Sequence, residues 1–80
     1  MNLSIDEIID TSNLIISDIK VCKTAQNMEL IKQRIEIFKE VFMSKAKHKA
    51  DEGLVETYYN LLIELADYAR MKMDFESQLS

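Results

Sequence analysis

Apolar residues recur along the chain at spacings of three and four. Placing successive positions 100° apart sorts them into three amphipathic helices separated by two lapses in the pattern. The first helix, over about residues 5–22, is announced by Ser4-Ile5-Asp6-Glu7. This is a capping box in which the serine hydroxyl takes the Glu7 amide proton and the glutamate reaches back to the Ser4 amide. Ile5, Ile8, Ile9, Ile15, Ile16, Ile19 and Cys22 share one face, with Leu14 and Val21 on the other. Thr11-Ser12-Asn13, three poor helix formers in a row, mark a place where this helix kinks or splits.

The pattern lapses between Lys23 and Asn27, where Thr24 or Asn27 is suited to cap the next helix. Helix 2, over about residues 26–49, carries one stripe of Met28, Ile31, Ile35, Phe38, Phe42 and Ala46. A second stripe of Leu30, Ile37 and Val41 lies about 100° away. Lys32, Glu36, Lys39 and Glu40 take the solvent side, and Lys45, Lys47, His48 and Lys49 suit the negative pole at the helix end. Ala50-Asp51-Glu52-Gly53 supplies the expected tight turn. Helix 3, over about residues 53–76, has a wide face of Leu54, Val55, Tyr58, Leu61, Leu62, Leu65, Tyr68 and Ala69, with Tyr59, Ile63 and Ala66 in a short line off it. Core contact is expected to end near Ala69. The last turns then project or fray.

Composition narrows the architecture further. A chain of average make-up and this length has about 4 prolines and 5 or 6 glycines, whereas this one has no proline and one glycine. The hairpins of a sandwich or barrel lack their turn residues. The reading is an all-α three-helix bundle, or a helix 2–helix 3 hairpin with helix 1 laid along it, folded as a single helical domain over residues 1–80. Its core is small, because a chain of this length buries only about 60% of the surface its unfolded form exposes.

Charge adds an order of packing. Residues 1–19 carry four acids and no base; residues 20–49 carry eight lysines and arginines against three acids; residues 50–80 carry seven acids against two bases. The net charge of -4 thus hides a basic helix between two acidic ones, which favours an up-down-up bundle with helix 2 touching both neighbours.

Candidate chemistry is sparse. No uncharged run approaches the roughly 18 apolar residues of a spanning helix. The acidic start before Lys20 is the reverse of a secretory leader, so the expected location is cytoplasmic. The single Cys22 and single His48 cannot build a zinc site, and no metal or cofactor is expected. His48 lies near Asp51 and Glu52 but lacks a second strong ligand, and Cys22 has no activating base beside it. An enzyme acting on a dicarboxylate needs several buried cations, and Arg34 and Arg70 are the only arginines. No phosphate-binding glycine loop or nucleophile elbow is present. Catalysis is therefore not expected.

Two binding readings follow. The first starts from apolar surplus: Leu30, Ile37 and Val41 on helix 2, Tyr59 and Ile63 on helix 3, and Leu14 and Val21 on helix 1 exceed what one narrow seam takes in. Large exposed apolar patches mark interfaces. The leading expectation is a small non-enzymatic protein–protein interaction module, of the regulator, inhibitor, adaptor or chaperone type. Leu30, Ile37, Val41, Tyr59 and Ile63 are its candidate contacts. The partner is another protein, with self-association, a homodimer first, also expected. The alternative is a nucleic-acid accessory protein using Lys45, Lys47 and Lys49 on phosphates. The acids that follow and the scarcity of arginine weigh against it.

Overall fold

A computed structural model describes residues 3–79, so the outermost ends of the expected 1–80 domain lie outside the described residues. Three α-helices, α1 (Ile5–Val21), α2 (Ala25–Lys45) and α3 (Lys49–Leu79), make up about 90% of the structure, and no strand occurs among the described residues. They pack against one another as a three-helix bundle with extents of 49 × 17 × 16 Å. The α2–α3 seam is the most extensive and the α1–α2 seam the sparsest.

The helix starts follow from their caps. Ser4 Oγ accepts the Glu7 amide proton at 3.3 Å, and Thr24 Oγ1 accepts that of Asn27 at 3.1 Å. Each satisfies an amide left over in the first turn. α1 runs unbroken through Thr11-Ser12-Asn13. Ser12 falls on the core face between Ile8 and Ile15 and is 1% exposed, so packing of that face outweighs the weak local propensity.

The second junction differs from the sequence expectation. α2 stops at Lys45 rather than Lys49, α3 begins at Lys49 rather than Gly53, and Gly53 lies inside α3 with ordinary helical geometry. The break falls at Ala46-Lys47-His48. There the Ala46 amide donates to the Met43 carbonyl, tightening the last turn of α2. The His48 carbonyl accepts the Glu52 amide proton, opening α3. Asp51 and Glu52 sit in the first turn of α3, where the positive helix pole favours them, and Asp51 also accepts the Lys47 amide proton at 3.4 Å. These acids start a helix instead of forming a turn.

The core consists of Ile8, Ile15 and Ile19 from α1, Met28, Ile31, Ile35, Phe38 and Phe42 from α2, and Val55, Leu62 and Ala66 from α3. The α2 stripe matches its expected spacing, apart from Ala46, which serves as the C-cap. The expected α3 face packs through Leu54, Val55, Tyr58, Leu62, Leu65 and Ala69 but reaches farther round the helix than expected. Ala66 is fully buried and Tyr59 and Ile63 pack against the core, while Leu61 and Tyr68 face outward. In α1, Ile5 and Ile9 are likewise exposed and Ser12 takes a core position.

Ion pairs fasten α2 to both neighbours: Arg34 to Asp18 and Lys45 to Glu7 on α1, and Lys32 to Asp67 on α3 at 2.9 Å. Arg70 on α3 returns one to Glu29 at 3.4 Å. The first three express in space the acid, base, acid order of the chain, and the Arg70–Glu29 pair runs the other way. Each pair is exposed and contributes about 0.2–1 kcal/mol at most, so the pairs set alignment more than stability.

Candidate interaction face

The site is a face assembled from α1 and α2 on the side away from α3. α3 covers one side of the other two helices, and their shared seam is left open as a groove. Its upper half, about 540 Å³, is lined by Leu14, Ile37 and Val41, and its lower half, about 530 Å³, by Val21, Leu30 and Ile31. Asp18, Arg34 and Ile37 line both halves, so the two adjoin along one open groove, with the Asp18–Arg34 ion pair crossing between them. Exposure is high for apolar side chains: Leu14 69%, Val21 70%, Leu30 56%, Ile37 57% and Val41 43%. They lie together because each falls just outside the core stripe of its own helix, on the edges that meet at the seam.

Among the residues expected to make contacts, Leu30, Ile37 and Val41 are brought together on this face, and Leu14 and Val21 join them from α1. Tyr59 and Ile63 lie elsewhere, half-buried against the core. Tyr59 is at the α2–α3 seam, where its hydroxyl donates to Glu36 Oε1 at 2.6 Å and the Lys39 ammonium sits 4.5 Å from the centre of its ring. The bond to the Glu36 carboxylate, with smaller contributions from burial and the neighbouring charge, raises its pKa above the ordinary 10.0. Sequence spacing set Tyr59 and Ile63 apart because it drew the packing face of α3 too narrow on that side.

The basic cluster is divided. Lys45 ends α2, bound to Glu7 at 3.5 Å and lying 5.5 Å from the centre of the Phe42 ring; Lys47 is in the linker and Lys49 opens α3. Asp51 and Glu52 follow within the same turn. Cys22 is a half-buried free thiol at the end of α1, its Sγ donating to the Thr24 carbonyl at 3.3 Å. Among the described residues, no group of three His, Cys, Asp or Glu side chains is placed to hold a metal ion, and no helix is long and apolar enough to cross a membrane.

A second apolar line, which sequence reasoning missed, runs along the outer side of α3: Tyr68, Met71, Phe75 and Leu79, all exposed. Its i, i+3, i+7, i+11 spacing is the signal that could have found it. Comparison with protein-family models, curated proteins and solved structures finds no match to the chain.

Proposed function

We propose that this chain is a non-enzymatic protein–protein interaction module that works by presenting the α1–α2 face to another protein, as small regulators, inhibitors, adaptors and chaperones do. One observation carries the reading: five large apolar side chains stand exposed around one open groove. With each exposing on the order of 100 Å², they present about 500 Å² of apolar surface, toward the top of the range for a monomer's largest patch. A groove between two helices also has the shape that receives an amphipathic helix.

Capture from the native host tests the reading, comparing tagged wild type with the Leu14→Lys and Ile37→Lys variants by quantitative mass spectrometry. Both positions are exposed, so the melting curves should stay close to wild type. At least one protein held by wild type should fall about tenfold or more on both variants, as expected when a charge enters the apolar centre of an interface. Equal retention by all three contradicts the proposal.

A further inference from the structure

We infer that the occupant of the α1–α2 groove is a second copy of this chain, related by a two-fold axis running along the bundle. The inference rests on the interaction reading above and adds the partner's identity. Its first support is the charge pattern of the face. At its middle stand one acid and one base, Asp18 and Arg34, paired with each other. Apolar residues lie to either side, Leu14 and Ile37 toward one end and Val21 and Leu30 toward the other. A face with this arrangement is complementary to itself.

The register of the two helices makes the match specific. Asp18 is level with Arg34, and Glu7 is level with Lys45, Glu7 lying eleven residues before Asp18 on α1 and Lys45 eleven residues after Arg34 on α2. α1 and α2 therefore run antiparallel in step. Rotation about an axis parallel to the bundle lays α1 of each copy antiparallel against α2 of the other at the same height. Asp18 then meets the partner's Arg34, Leu14 the partner's Ile37, and Val21 the partner's Leu30. The four helices alternate in direction around one seam, the geometry of a four-helix bundle. The other two-fold axis lying in the face sets Asp18 against the partner's Asp18 and Arg34 against the partner's Arg34, and such like-charge contacts are strongly disfavoured.

Area is the second support. The five apolar side chains present about 500 Å², and Thr11, Asp18, Gln33 and Arg34 around them widen the face toward the roughly 800 Å² per partner of a standard-size interface. Such a match is isologous and closes on itself, so it ends at a dimer.

Sedimentation velocity from micromolar to submillimolar concentration tests this with wild type, Asp18→Arg, Arg34→Asp and an equimolar mixture of the two variants. Wild type should sediment at twice the 9.3 kDa chain mass. Each variant alone carries two like charges at the centre, and its dimer dissociation constant should rise more than about tenfold. Mixed, the variants set bases against acids and should recover the dimer. Ile37→Lys, which leaves the ion pair intact, should also be monomeric, and circular dichroism shows that each variant is folded. A monomeric wild type overturns the inference, as do charge-reversed variants that dimerise like wild type or a mixture that stays monomeric. A monomeric wild type whose Ile37→Lys variant still loses a host protein assigns the groove to a different partner. Equal capture by wild type and both lysine variants removes the interaction reading itself.

Discussion

Tyr59 joins two elements through one side chain: its ring packs on the core and under Lys39, while its hydroxyl is bound to Glu36 on α2. Ionising the phenol would set a negative charge against that carboxylate. Its pKa is accordingly raised above 10.0, with the hydrogen bond to Glu36 the largest cause. The neutral form is favoured in the folded state, so the stability this adds is fully present below the unfolded value and is lost as pH rises through the higher folded value. Following phenolate absorbance in an alkaline titration, Glu36→Gln should move the Tyr59 transition down toward the ordinary value. An unchanged transition would mean that the bond to Glu36 does not hold the proton. Ser12 is the opposite case, a hydroxyl buried without a hydrogen-bond partner. Its small size suits a tightly packed position in α1, and such an orphan oxygen is a cost that the surrounding isoleucines offset.

Among the elements, α3 is the one whose contact arc had to be found rather than read. Two neighbouring helices take up more of its circumference than one stripe, and the small Ala66 lets the backbone come close. The contact arc therefore centres on Val55, Leu62 and Ala66, with Tyr59 and Ile63 at its edge. The contrast between adjacent leucines tests this arc. Leu62→Ala removes a fully buried side chain and should cost about 2–5 kcal/mol in urea unfolding. Leu61→Ala, at an exposed position, should cost less than about 1 kcal/mol, and equal losses would contradict the assigned face. α2 was legible because its core stripe keeps one strict spacing, and the Ser4 and Thr24 caps were legible because their chemistry is local. The α2–α3 junction was not. Asp51, Glu52 and Gly53 are turn-forming by type, yet acids in a first turn also start a helix, and only the hydrogen bonds of Asp51 and His48 decide between the two.

At the scale of the molecule, the bundle is closed on the α3 side and open on the α1–α2 side. The apolar surplus of the sequence divides accordingly. Tyr59 and Ile63 enter the seam beneath α3, whereas Leu14, Val21, Leu30, Ile37 and Val41 remain outside around one groove. A pattern of apolar residues gives each helix its stripes but not which stripes two helices share, so the groove became visible only with the helices in place. That a second protein chain covers this face is tested most directly by a photo-crosslinking amino acid introduced at position 37 or position 14 and irradiated in the native host. An exposed position on the outer side of α3, Asn60, serves as the control. Discrete crosslinked products are expected from positions 37 and 14 and little from 60, with a product at twice the 9.3 kDa chain mass if the occupant is a second copy. Crosslinking no stronger at positions 37 and 14 than at 60, or none at any of them, would contradict a covered face.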